Sequence, residues 1–354
     1  MKILVATDAW RPQVNGVVRT YERLREEAAP LDAEIIFLTP GEFSTVPCPT
    51  YPEIRLSLPG YSYIGQRMRE IKPDAVHIAT EGPLGWMTRS HCLRKGIPFT
   101  TSFHTRFPDY ISSRFYIPES WIWEILRRFH NQGSGIMVAT PTLARELEER
   151  GFERTLSWTR GVDTELFRPR EVRRFGDGPV FLYVGRVAIE KNIEAFLDAE
   201  LDGQKVVVGD GPQLEELKAR CPDVTFTGKR IGEDLAECYA SADVFVMPSK
   251  TETFGIVILE AMASGLPVAA YPVTGPIDLL TTGETGFMSE NLAQAAKDAL
   301  ALDRDMIRKK ALEYSWEAAA RLFVSNIESA LFANKGRKAP ARRVRLARRR
   351  PSQA

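Results

Sequence analysis

The sequence predicts an α/β protein made of two doubly wound, parallel-sheet domains that face each other across a cleft. Three observations carry this. Short apolar β-like runs alternate with helical stretches through the first half of the chain. The alternation stops in a Pro-, Arg- and Gly-rich stretch at 168–177, then restarts in the same rhythm. A chain of 354 residues is also long for one domain and comfortable for two. Repeated βα units imply a parallel sheet covered on both faces. Two such halves joined by one linker leave a crevice between the carboxyl ends of their strands, where such sheets bind ligands.

The elements follow in order. Residues 2–6 read as a buried strand and 17–28 as a helix; 34–38 and 75–78 read as strands. A helix at 84–93, a strand at 99–103, a Trp- and Arg-rich helix at 119–131, a strand at 136–139 and a helix at 142–150 complete the first half. After the linker come a strand at 180–184, a helix at 193–201 and strands at 205–208, 224–227 and 244–247. A helix at 255–263 and a strand at 267–270 follow. Ser315-Trp316-Glu317 opens the last helix, with Ser315 as N-cap and Glu317 in the first turn, running to about 332. The expected divisions are 1–170, 171–314, a helix at 315–333 and a basic tail at 334–354.

Composition narrows the function. Cys48, Cys92, Cys221 and Cys238 form no C-x-x-C pair, which suggests neither a zinc site nor a redox pair and fits a reducing compartment. The opening apolar run ends at Asp8, too short for an export signal, and no run reaches membrane-spanning length. The expected location is cytoplasmic, peripheral at the inner face of the membrane. Lys335, Arg337, Lys338, Arg342, Arg343, Arg345, Arg348, Arg349 and Arg350 crowd a tail that has no acid. Taking these nine from 47 leaves 38 basic residues against 46 acidic ones, so the body carries about −8. A basic tail on an acidic body points either to an anionic surface outside the body or to a solvated, disordered segment. No nucleic-acid recognition motif accompanies it.

Three loops at strand ends carry the chemistry. Gly185-Arg186-Val187, with Lys191 five residues past Arg186, places two cations where a diphosphate could be held without a metal; alone, they read as solvated charges. Gly209-Asp210-Gly211-Pro212 permits a tight turn close to a ligand, though alone it reads as structural. The strongest signal is TETFGIVILEAMASGLPV. Gly255 stands where a helix begins and its amides suit phosphate; of Glu252 and Glu260, one carboxylate can reach ribose hydroxyls while the other meets hexose hydroxyls.

With these residues in view, the chain resembles the family-4 retaining glycosyltransferases of the GT-B fold, two Rossmann-like domains with a last helix crossing back to the first. The resemblance rests on E-x7-E at Glu252 and Glu260, GRVAIEKN, GDGP, RGVDTELFRP, PQVNGVVRT and SFHTRFPDY. It implies that 1–170 binds the acceptor and 171–314 the nucleotide sugar. Arg186 and Lys191 would hold the diphosphate, Glu260 the ribose and Glu252 the donor hexose. Backbone near Phe254, Gly255 and Ile256 would face phosphates or sugar, as would Gly185 and Gly209. His104 would contact the transferred sugar, and Gly16 would let backbone approach diphosphate and acceptor. With Arg186, Lys191 and Glu252, His104 makes up the expected catalytic set. Asn15, Glu81, Gly82 and Asp109 are the expected acceptor-side residues. Leu156-Ser157-Trp158-Thr159 departs from the more polar, glycine-containing stretch of many relatives.

No metal and no cofactor are expected beyond the nucleotide diphosphate sugar. The D-x-D at Asp303-Arg304-Asp305 reads as a solvated helical face. The donor is left open among UDP-glucose, UDP-glucuronate and GDP-mannose. The pattern DAWRPQVNGVVRT with TEGPLG looks most like bacterial glycolipid synthases and α-mannosyltransferases, which favours a lipid acceptor such as diacylglycerol. Tyr110, Phe115, Tyr116, Trp121 and Trp123 offer aromatic surface nearby, although such residues are more often core. A polysaccharide or other soluble acceptor, a sugar-nucleotide 2-epimerase and a non-enzymatic sugar-binding protein are the alternatives.

Overall fold

The computed structural model describes residues 1–12, 16–48, 51–58, 60–104, 106, 118–251 and 254–335. The first half contains strands β1 (Lys2–Ala6), β2 (Glu34–Leu38), β3 (Thr45–Cys48), β4 (Tyr51–Ser57), β5 (Ala75–Ile78), β6 (Phe99–Phe103), β7 (Gly135–Val138) and β8 (Thr155–Ser157). Its helices are α1 (Gly16–Ala28), α2 (Tyr61–Ile71), α3 (Pro83–Lys95), α4 (Glu119–His130) and α5 (Pro141–Glu149). The second half contains β9 (Val180–Val184), β10 (Gln204–Val208), β11 (Thr225–Gly228), β12 (Val244–Met247), β13 (Val268–Ala270) and β14 (Gly286–Met288). Its helices are α6 (Ile193–Leu197), α7 (Leu214–Arg220), α8 (Gly232–Ala240), α9 (Ile256–Ala263), α10 (Pro276–Leu279), α11 (Leu292–Ala299), α12 (Arg304–Ala311) and α13 (Trp316–Lys335).

Two six-stranded parallel sheets result, ordered β2-β1-β5-β6-β7-β8 and β11-β10-β9-β12-β13-β14; β3 and β4 pair apart as an antiparallel hairpin. Strand alternation sends Ile3 and Val5 to one face of the first sheet and Leu4 and Ala6 to the other. In β9, Val180, Leu182 and Val184 enter one core and Phe181 and Tyr183 the opposite one. Burying each such aliphatic or aromatic side chain contributes roughly 1.5–3 kcal/mol. The strand order reverses between β1 and β5 and between β9 and β12, which puts each half's crevice at the carboxyl ends of those strands.

The changeover between halves lies nearer Gly161 than the expected linker at 168–177. Trp158 packs in the first core, whereas Val162 and Phe167 pack in the second. The supposed linker is pinned to the second half: Arg173 pairs with Asp243 at 2.9 Å and Arg170 with Glu233 at 2.6 Å. The returning chain passes alongside, with Val162 N donating to Tyr314 O at 3.1 Å. Ser315 Oγ accepts from Ala318 N at 3.1 Å, and α13 then lays Ala320, Phe323, Val324 and Ile327 against Ile3, Val5, Tyr21 and Leu24 of the first half. The departing stretch around Trp158 has a structural role. Its indole is fully buried and donates to Ala319 O at 3.1 Å. Asp303 is an N-cap, its carboxylate accepting from Asp305 N at 2.9 Å. Among the described residues no helix is long and apolar enough to cross a membrane.

Candidate active site

The two crevices face each other through two helix starts. α1 begins at Gly16 after β1, and α9 begins at Ile256 after β12. A Cβ on Gly16 would lie 3.5 Å from Ile256 Cδ1, so the two mouths are in contact. Gly255 caps α9 with φ +87°, a left-handed conformation open to glycine at little cost. Phe254 is buried behind it.

The cationic loop is tied to the same place. Asn192 Nδ2 donates to Pro248 O at 3.0 Å, and Thr251 Oγ1 to Glu190 O at 3.4 Å. These bonds hold the Arg186–Lys191 segment against the loop that precedes α9. Arg186 approaches Glu190 at 4.0 Å, and Lys191 sits in a one-turn helix at Ile189–Lys191. Gly209 closes the back: a Cβ there would meet Gly185 O at 1.8 Å, so the two glycine loops touch backbone to backbone. Glu260 lies one turn into α9, only 3 % exposed, accepting from Tyr239 Oη at 2.9 Å and paired with Arg19 of α1 at 3.0 Å. Burial raises its pKa, and Arg19 and Tyr239 pull it back down.

On the first-half side, His104 is held at both ring nitrogens. Arg160 Nη2 lies 2.9 Å from Nδ1, and Tyr21 Oη 3.1 Å from Nε2. A guanidinium only donates, so Nδ1 accepts and the proton of the neutral ring sits on Nε2. Burial first, then Arg160, hold the imidazole well below its ordinary pKa. Arg160 is 4 % exposed, stacks over the Trp158 ring at 3.9 Å and donates to Trp158 O at 2.8 Å. Burial brings its pKa to about 10, so it stays cationic at neutral pH. Tyr21 continues inward to His77 at 2.9 Å and Ser102 at 3.3 Å.

The expected acceptor-side loop is built on buried polar contacts. The Glu81 side chain is 4 % exposed and lies 3.1 Å from His130 Nε2. Two buried polar groups satisfy each other there, with His130 Nδ1 bonded to Thr101 at 2.8 Å. A Cβ on Gly82 would fall 2.4 Å from Asp8 Cγ. Asp8 fixes this loop by accepting from Leu84 N at 2.9 Å, Gly85 N at 3.1 Å, Thr80 at 3.0 Å and Ser57 at 3.3 Å. Burial raises its pKa and these donors lower it. Trp123 is core, stacked on Phe103, while Trp121 is 68 % exposed. Asn15, Asp109, Tyr110, Phe115, Tyr116, Glu252 and the tail after Lys335 lie outside the described residues.

The structure thus brings Gly16, Gly185, Arg186, Lys191, Gly209, Phe254, Gly255, Ile256 and Glu260 to one region. Sequence reasoning assigned no role to Arg19, Tyr21, Asp8, Arg160 or Tyr239. Arg19 was legible in outline, being three residues after Gly16 on one helical face. Asp8 carried the signal of a charge at the carboxyl end of a buried strand.

Residues 14–166 match the profile of Glycosyltransferase Family 4, and residues 178–305 that of Glycosyl transferases group 1. The GDP-mannose-dependent alpha-mannosyltransferase of Mycobacterium tuberculosis is 32 % identical over 81 % of this chain and 83 % of its own. The chain belongs to the family-4 glycosyltransferases. This glycosyltransferase is also 35 % identical to the sulfoquinovosyl transferase SQD2 of Arabidopsis thaliana over 68 % of its length, and spans about half, 52 %, of that protein. The alpha-monoglucosyldiacylglycerol synthase of Streptococcus pneumoniae is 27 % identical over 91 % of this chain and 83 % of its own. Among solved structures, the sucrose-phosphate synthase of Thermosynechococcus elongatus superposes with a TM-score of 0.75 at 21 % identity, covering 94 % of this chain and 99 % of the other. The fold is GT-B, and the chain is a glycosyltransferase that uses nucleotide sugars.

Proposed function

We propose that this enzyme moves a hexosyl group from a nucleotide diphosphate sugar to a hydroxyl of a membrane lipid of diacylglycerol type, with retention and without a metal. The observation that carries this is the meeting of Gly16 with Ile256 at the two helix starts, beside the loop of Arg186 and Lys191. GDP-mannose is the first donor to test, because the mycobacterial relative's name specifies it. The lipid acceptor is supported by the name of the streptococcal relative. The mannosyltransferases' names leave a soluble acceptor as the second reading.

In this reading Arg186, Lys191 and the amides of Ile256 and its neighbours neutralise the departing diphosphate. Glu260 takes the ribose hydroxyls and Glu252 those of the hexose. His104, neutral and fixed by Arg160 and Tyr21, shapes the sugar pocket. The acceptor attacks on the leaving-group face through an oxocarbenium-like transition state, and the leaving phosphate takes its proton. Glu81 and Asp8 act by holding the 80–85 loop in shape. The basic tail adds attraction to an anionic leaflet of about 1 kcal/mol per cation near the surface.

Assaying transfer from labelled UDP-glucose, UDP-glucuronate and GDP-mannose to lipid extracts in excess EDTA tests the reading. A glycolipid should form with one donor, and Lys191→Ala should lower kcat/KM by about tenfold or more, roughly 1.4 kcal/mol. Loss of chemistry in EDTA that added metal restores, or wild-type kinetics in the variant, contradicts the assigned roles.

A further inference from the structure

α1 and α9 meet in register across the cleft. Gly16 touches Ile256 at the mouths. One turn further in, Arg19 stands three residues past Gly16 and Glu260 four past Ile256, so each pair shares a helix face. Their side chains close at 3.0 Å, with Arg19 36 % and Glu260 3 % exposed. Among the described residues, the groups facing the carboxylate are Arg19 from α1 and Tyr239 from α8, the latter donating to its second oxygen at 2.9 Å. A buried carboxylate on the donor side therefore draws its counter-charge from the opposite half.

We propose that Arg19 is a positioning residue for the donor: reaching across the cleft, it keeps Glu260 ionised and aimed, so the ribose is gripped only when the halves are together. The inference rests on the reading of Glu260 as the ribose ligand. An ionised carboxylate offers about four lone-pair directions. Arg19 and Tyr239 use one on each oxygen, which leaves one on each for the two hydroxyls of a ribose. Without a cation, a carboxylate this buried takes up a proton rather than stay charged. It then becomes a donor on one oxygen and cannot accept from both hydroxyls. Because Arg19 and Glu260 belong to different halves, donor binding and closure strengthen each other reciprocally. Arg19 is partly exposed and its helix is anchored by Val18, Tyr21 and Leu24, so substitution leaves the core intact.

The test is calorimetric titration of the full chain with UDP, GDP and their 2′-deoxy forms from about pH 6 to about pH 9. The proteins are wild type, Arg19→Met, Arg19→Lys and Glu260→Gln, each checked by thermal melting. Wild type should favour the ribonucleotide by about tenfold, and Glu260→Gln should abolish that preference. Arg19→Met should cut it to below about threefold near neutral pH and regain it as pH rises, because losing the cation raises the pKa of Glu260 and alkali restores the ionised form. Arg19→Lys should keep most of it. If Glu260→Gln leaves the preference intact, the ribose assignment falls and the inference with it. If Glu260→Gln removes it while Arg19→Met behaves as wild type at every pH, the role of Arg19 alone is overturned.

Discussion

His77 is sealed beneath the site, bonded to Thr100 through Nδ1 at 2.8 Å and to Ser102 and Tyr21 through Nε2. Burial, with a smaller push from Arg160, brings its pKa down to about 3. In the unfolded chain it titrates near 6.5. Below that pH the unfolded chain binds a proton that the folded one refuses, so stability is full above about pH 6.5 and is lost as pH falls toward 3. The slope is up to about 1.4 kcal/mol per pH unit, and His104, lowered for the same reason, adds to it. His77→Asn should therefore flatten the dependence of unfolding free energy on pH between about 6.5 and 5, measured by urea denaturation. A slope equal to wild type would contradict the buried, neutral assignment.

At the scale of elements, the start of α3 is held by one carboxylate. Asp8 takes the Leu84 and Gly85 amides and two hydroxyls, and replacing it leaves those donors buried without acceptors. Asp8→Ala should cost about 2 kcal/mol or more of stability; a loss under about 0.5 kcal/mol would show that water replaces the carboxylate. Such contacts mark where the sequence stops being readable. β1, β2, β5, β6, β9 and β12 stood where apolar runs placed them, because strand burial is local information. The start of α9 was readable for the same reason, its glycine and apolar run being contiguous. The β3–β4 hairpin was missed, each of its strands being interrupted by a proline, Pro47 and Pro52. Partners distant in the chain were also invisible: Arg19 meets Glu260 across 241 positions and Glu81 meets His130 across 49.

At the scale of the whole molecule, the two halves are joined by more than the crossing chain. Thr142 N, at the start of α5, donates to Asp278 Oδ1 of α10 at 3.0 Å. Arg23 of α1 pairs with Asp163 beside the changeover. Together with Arg19 and Glu260, these contacts join the two halves; in the proposed reading, excluding water from the donor is a property of both. The basic tail belongs to this scale too: in the proposed reading it sets where the enzyme works and not how. Truncation after Asn334 should preserve transfer to a detergent-solubilised acceptor and lose much of the sedimentation with anionic vesicles at low salt, where screening is weakest. Equal vesicle binding by truncated and full-length enzyme would refute the tether. The proposed retaining transfer from a nucleotide sugar is tested most directly by the anomeric configuration of the product. One-bond carbon–proton coupling at the anomeric carbon of the purified glycolipid should report an α-glycoside from an α-linked donor; a β-glycoside would contradict the account.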